Sequence, residues 1–138
     1  MAEQRVSEDS HAGHCLCGAV SYSIDGLLRD VINCHCGQCR RFHGHFAAYT
    51  AAPRSAVSIH DQNRQLKWYA SSDKARRGFC RRCGSSLFWD AHGSELLRIA
   101  AGTLDQPTGL RTAAHIYIAD QGDYYAVTDE LDKRRQGL

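Results

Sequence analysis

The chain has 138 residues, 43% of them hydrophobic, which suits one domain with a modest core and leaves no room for a second. Its 17 Lys and Arg against 15 Asp and Glu give a formal net charge of +2, without the basic excess of a dedicated nucleic-acid binder. No apolar run approaches the roughly 18 residues that a membrane helix needs. The start, Met1-Ala2-Glu3-Gln4-Arg5, leads into polar residues rather than a secretory apolar region. Seven cysteines is an odd number; in a reducing, cytoplasmic compartment, thiols so clustered serve as metal ligands or catalytic groups rather than as a disulfide framework.

In chain order, residues 1–12 are polar and aperiodic and are expected to form a disordered terminus. A β domain is expected over 13–128. Val20, Tyr22 and Ile24 alternate on one face of a strand that ends at the Asp25-Gly26 turn, with Cys15 and Cys17 at its mouth. A short extended piece around Val31-Ile32 precedes Cys34-His35-Cys36-Gly37-Gln38-Cys39, and Gln38–Phe42 is expected to form a helical turn. Further short strands are predicted at Phe46–Thr50, closed by Pro53, at Val57–Ile59 and at Leu66–Tyr69. Ala75 to Trp89 reads as strand, knuckle, strand, with Cys80-x-x-Cys83 in the bend and Gly84 in a positive-φ position. Strands at Leu96–Ala101 and Ala114–Ile118 complete the set, and the charged segment 129–138 is expected to be a flexible tail. Many short strands with little helix predict a mainly β fold, a small antiparallel domain of several short sheets stapled by zinc.

The cysteines divide into two groups. Cys15, Cys17, Cys80 and Cys83 form a C-x-C and a C-x-x-C pair, each followed by glycine, the pattern of a closed structural zinc site joining two hairpins. Cys34, Cys36 and Cys39 lack a fourth partner and admit three readings: a closed site completed by His35, His43 or His45, a redox pair of Cys36 and Cys39, or an open three-cysteine zinc. Three thiolates on a divalent cation leave a net charge of about −1, which makes a poor water activator and favours a soft ligand such as a substrate thiol. Arg40 and Arg41, and Arg76, Arg77, Arg81 and Arg82 around the knuckle, are placed to offset thiolate charge or to hold the carboxylates of an acidic thiol such as glutathione. Arg40 is the one assigned to the site. His35 reads as a general base, or as a residue behind the ligands or facing solvent, Trp68, Phe79, Leu87, Phe88 and Trp89 as core, Asp105 as a turn residue and His115 as a strand residue.

Gly13-His14-Cys15-Leu16-Cys17-Gly18-Ala19-Val20-Ser21-Tyr22, Cys34-His35-Cys36-Gly37-Gln38-Cys39-Arg40 and Phe79-Cys80-Arg81-Arg82-Cys83-Gly84-Ser85-Ser86-Leu87-Phe88-Trp89 resemble, in order and spacing, three motifs of the glutathione-dependent formaldehyde-activating enzymes. These are also called the S-(hydroxymethyl)glutathione synthase-like family. Weaker echoes occur at Gly102-Thr103-Leu104-Asp105 and His115-Ile116-Tyr117, whereas Asp129-Glu130-Leu131-Asp132 departs from the family's common Asp-Gly-Leu-Pro. The resemblance implies a structural zinc on Cys15, Cys17, Cys80 and Cys83 and a catalytic zinc on Cys34, Cys36 and Cys39, two zinc ions per chain. It also implies a carbon–sulfur lyase that adds a thiol, glutathione or a similar one, to formaldehyde or another small aldehyde. A non-catalytic zinc-stabilised binding or scaffold domain with both sites structural is the alternative. Neither nucleic acid nor membrane is an expected partner.

Overall fold

A computed structural model describes residues 10–138, and residues 1–9 lie outside it. Eleven strands make two sheets among the described residues. β1 (Ser10–His14), β2 (Ser21–Asp25) and β5 (Val57–His60) form the smaller, antiparallel sheet in the order β1-β2-β5. The larger has eight strands. β3 (Val31–Cys34), β4 (Ala47–Pro53), β9 (Leu96–Ala100) and β8 (Ser86–Ala91) run through its middle. β7 (Ala75–Cys80) and β6 (Leu66–Ala70) close one edge, and β10 (Thr112–Ile116) and β11 (Asp132–Lys133) the other. One helix, α1 (Gly37–His43), follows β3.

The alternation that predicts β2 decides how the sheets meet. Tyr22 and Ile24 are buried while Ser23 and Asp25 face out, because successive side chains of a strand point to opposite faces. With Val20 they pack on Leu87, Phe88, Leu97 and Ile99 of the larger sheet, and Tyr22 meets Phe88 edge to face at 5.5 Å. Burying an aliphatic or aromatic side chain of this size contributes about 1.5–3 kcal/mol. A second, smaller cluster of Cys39, Ala47 and Tyr49 packs beside Trp89 and Ala100, so α1 stands on its own patch of core.

Three regions differ from expectation. The first strand begins at Ser10, inside the segment expected to be disordered, because pairing with β2 gives its backbone partners from Ser10 to His14. β10 runs parallel to β3, and β11 parallel to β10. The segment 129–138, expected as a flexible tail, lies along the end of β10. Tyr117 N donates to Gln136 O at 3.0 Å, Ile118 N to Arg134 O at 3.0 Å and Arg134 N to His115 O at 2.9 Å. Its charged side chains conceal this, since these bonds are made by backbone groups that any sequence carries. No helix among the described residues is long and apolar enough to cross a membrane.

Candidate metal centres and the arginine-lined cavity

The two knuckles are built alike. After Cys15 the chain turns back so that Cys15 N donates to Val20 O at 2.9 Å; after Cys80, Cys80 N donates to Ser85 O at 2.9 Å. Both turns pass through a glycine at positive φ, Gly18 at 81° and Gly84 at 85°, a conformation that L side chains disfavour. The turns bring Cys15, Cys17, Cys80 and Cys83 together with all four sulfurs within 4.8 Å of one another. The Cys15–Cys17 and Cys17–Cys80 separations are 3.7 and 3.8 Å. Tetrahedral coordination at a Zn–S distance of about 2.3 Å places sulfurs about 3.8 Å apart, so the group fits such an ion. Ser85 links the knuckles, accepting from Leu16 N at 2.9 Å with its hydroxyl 3.2 Å from Cys83 Sγ.

Cys34, Cys36 and Cys39 also converge, their sulfurs within 4.8 Å of one another. Cys34 ends β3, Cys36 caps α1 by accepting from Cys39 N at 3.3 Å, and Cys39 is buried in the first turn. Hydrogen bonds from Cys34 and Cys39 pull Cys36 far below the ordinary thiol range, while the bonds to Cys36 and Cys39 push Cys34 up. Among the described residues no histidine or carboxylate joins the group. The three nearby histidines are engaged elsewhere. His43 Nε2 is 2.8 Å from Tyr49 Oη, His45 Nδ1 is 2.6 Å from Tyr124 Oη, and His35 is hydrogen-bonded to His115 and Tyr125.

A cavity of about 500 Å³ opens over the three sulfurs, within the range that holds a small-molecule ligand. Ile32, Trp89 and Ile116 give it apolar walls, Arg29, Arg77 and Arg98 charge it, and no Asp or Glu side chain lines it. Arg29 Nη2 donates to Tyr49 O at 3.0 Å, and Arg98 lies over the Trp89 ring at 5.3 Å. Burial lowers the pKa of both guanidinium groups, and the charge of Arg98 lowers that of Arg29 further, so the two repel one another. Arg77 is 2% exposed. Its Nη2 donates to Gln38 Oε1 at 3.1 Å and to Cys39 Sγ at 3.7 Å, while its Nε and Nη1 have no protein partner. Tyr49 also lines the cavity; burial raises its pKa, so the phenol keeps its proton.

Cys34, Cys36 and Cys39 are thus brought together as the spacing predicts, and so are the four cysteines of the other group. Arg40 does not line this cavity; it borders a separate groove with Arg41, Phe42 and Tyr69. The guanidinium beside the sulfurs comes instead from Arg77 in the strand before the second knuckle, with Arg29 and Arg98 beyond it. Trp89, expected in the core, is half-buried and forms a wall, whereas Leu87 and Phe88 are core residues. Tyr49, Arg29 and Arg98 carry no motif signal; the pairing of β4 with β9 brings Tyr49 and Arg98 together, and Arg29, ahead of β3, joins them through its bonds to Ala51 O and Tyr49 O of β4.

Residues 10–120 match the family described as glutathione-dependent formaldehyde-activating enzyme, and the chain belongs to that family. An uncharacterized lyase of Schizosaccharomyces pombe is 29% identical over 117 residues, 83% of each chain. Among solved structures, a Rhodobacter sphaeroides protein is similar with a TM-score of 0.57 and 25% identity, over 69% of this chain and 88% of that one.

Proposed function

We propose that the protein is a zinc-dependent carbon–sulfur lyase of the synthase type, which reversibly adds an anionic thiol, glutathione or a close analogue, to formaldehyde or another small aldehyde. The observation that carries this reading is that three sulfurs converge under a cavity charged by three arginines and lined by no Asp or Glu side chain. Zinc bound to Cys34, Cys36 and Cys39 would supply the charge that removes a substrate thiol's proton. Zinc on Cys15, Cys17, Cys80 and Cys83 would hold the two sheets together. Family membership and the name of the fission-yeast relative support lyase chemistry.

The remaining work falls to side chains. Arg29 and Arg98 hold the substrate's carboxylate in the cavity, where a desolvated guanidinium binds an anion more strongly than in water. Arg77 offsets the charge of the sulfur cluster from below. Trp89 and Ile116 keep water from competing with the thiol for the aldehyde. As sulfur bonds to the carbonyl carbon, the carbonyl π pair moves to oxygen. Tyr49 donates its proton to that oxygen, and the proton lost by the thiol returns to Tyr49 by way of solvent. The product is a hydroxymethyl thioether, and the reverse order of the same steps cleaves it.

The alternative, a scaffold with both sites closed, would require a histidine to complete the three-cysteine cluster, and the hydrogen bonds of His35, His43 and His45 weigh against it. The test is exchange NMR of the thiol–formaldehyde adduct, together with metal analysis. The wild type should hold two zinc ions and raise the exchange rate above the spontaneous one, and Cys36→Ser should lose the effect. A protein holding two zinc ions that adds nothing to the spontaneous rate would overturn the lyase reading.

A further inference from the structure

Behind the three-cysteine loop runs a buried chain of side chains that the lyase reading does not use. His35 lies between two of the cysteines in sequence and is 1% exposed. Its Nδ1 is 2.6 Å from Tyr125 Oη and its Nε2 is 2.9 Å from His115 Nδ1. His115, in β10 and 4% exposed, places its Nε2 2.9 Å from Asp129 Oδ2. The His35 ring also packs on Phe46 at 4.9 Å and on Tyr125 at 5.6 Å. Neither His35 nor His115 lines the cavity, so this chain supports the metal loop from its far side.

The direction of every bond in the chain follows from its one exposed end. An ionised carboxylate accepts only, so His115 must carry a proton on Nε2. A neutral ring then has a bare Nδ1, which accepts from His35 Nε2–H. That leaves His35 Nδ1 bare, and the Tyr125 hydroxyl donates to it. With both rings neutral each step follows from the one before it, and Asp129 fixes them all.

We infer that Asp129 is a positioning residue for the three-cysteine site: through His115 it locks the tautomer and orientation of His35, and so holds the backbone between Cys34 and Cys36 in its ligating geometry. The backbone is tied along the same line, since His35 N donates to Ile116 O at 3.0 Å and Ile116 pairs with Cys34. Asp129 stands at the start of the segment that forms β11, so the end of the chain is coupled to the metal loop across three strands. The link to metal retention rests on the proposed metal site, whereas the direction of the hydrogen bonds does not.

Long-range ¹H–¹⁵N correlation on histidine-labelled protein reads the ring tautomers, with His115→Gln serving for assignment. In the wild type both His35 and His115 should carry the proton on Nε2. Asp129→Asn can donate as well as accept, so both rings should shift toward the Nδ1–H form. The metal of the three-cysteine site should then leave to a chelator on the order of tenfold faster. Release from the four-cysteine site should be unchanged, which controls for folding, and Asp129→Glu should restore both readouts. A proton on Nδ1 of either ring in the wild type would overturn the assigned direction. A tautomer shift in Asp129→Asn without faster release would overturn the coupling to the loop. The tautomers are also read with zinc at the four-cysteine site alone, so a second cluster that binds no metal would sink the proposed function and still leave the direction under test.

Discussion

Arg77 donates from Nη2 to Cys39 Sγ at 3.7 Å while being 2% exposed, so a guanidinium with no acidic partner among the described residues is held against the three-cysteine cluster. The pair is mutually required. A buried cation without a counter-charge is costly, and three thiolates on one divalent ion leave an excess negative charge. Arg77→Lys keeps the charge but loses the planar fork that serves Gln38 and Cys39 together. Its adduct-forming rate should fall roughly 10- to 100-fold, the worth of a charge-assisted hydrogen bond. The d–d spectrum of cobalt at the three-cysteine site should shift with it.

Arg98 tests substrate class. Arg98→Met should raise the KM for glutathione about tenfold, the loss of one charged hydrogen bond of about 1.4 kcal/mol. The uncharged thiol 2-mercaptoethanol should react at nearly its former rate. Equal losses for both thiols would show that Arg98 serves the architecture rather than the anion.

Tyr49→Phe removes the proposed proton donor and keeps the ring that packs on Cys39 and Ala47. The fold should persist by circular dichroism. The turnover number should drop about 100-fold, the lower end for loss of general acid catalysis, with KM for the thiol little altered.

Asp90 anchors the outer half of the larger sheet, 2.6 Å from Arg54 Nη2 and 2.9 Å from Arg76 Nε. Burial opposes its charge, yet the hydrogen bonds from the two arginines hold its carboxyl below the ordinary range. Asp90→Asn should cost about 3 kcal/mol in urea denaturation. That is the low end for breaking a buried pair, because both arginines are more than 40% exposed.

His43 makes stability depend on pH. Burial, and then the charge of Arg77, lower its pKa from 6.5 to about 4. The unfolded chain therefore binds the proton more readily than the folded one. Its contribution is full above pH 6.5, falls as the pH drops from 6.5 to 4, and changes no further below that. The melting temperature of His43→Gln should decline less steeply across this window than that of the wild type. Parallel curves would contradict the burial argument.

Much of the fold is legible where side-chain pattern and backbone geometry coincide. The alternation of Val20, Tyr22 and Ile24 marks β2 and its buried face. The C-x-C and C-x-x-C spacings with their following glycines mark both knuckles. The match of residues 10–120 to the family agrees with the motif resemblance. What stays hidden is whatever depends on pairing between distant strands. Tyr49 and Arg98 meet because β4 lies beside β9, Arg29 joins them from the segment before β3, and nothing local distinguishes them from surface arginines or a core tyrosine. His115 reads as an ordinary strand residue because its partners His35 and Asp129 sit 80 and 14 residues away. Much of the docking of 129–138 is carried by peptide groups, which leave no trace in composition, and its side-chain tie from Asp129 to His115 spans 14 residues.

The parallel pairing of β10 with β3 bears on how the chain matures. The three-cysteine cluster leaves the ribosome early, together with α1, which contains Cys39, but the strand that flanks β3 on its other side is synthesised only after β4 to β9. Contacts so distant in sequence form late. A nascent chain therefore presents a thiol-rich loop well before His115 and Asp129 arrive to brace it. The metal proposed for this cluster would therefore meet its finished setting only once β10 and β11 have paired and His115 and Asp129 stand behind His35.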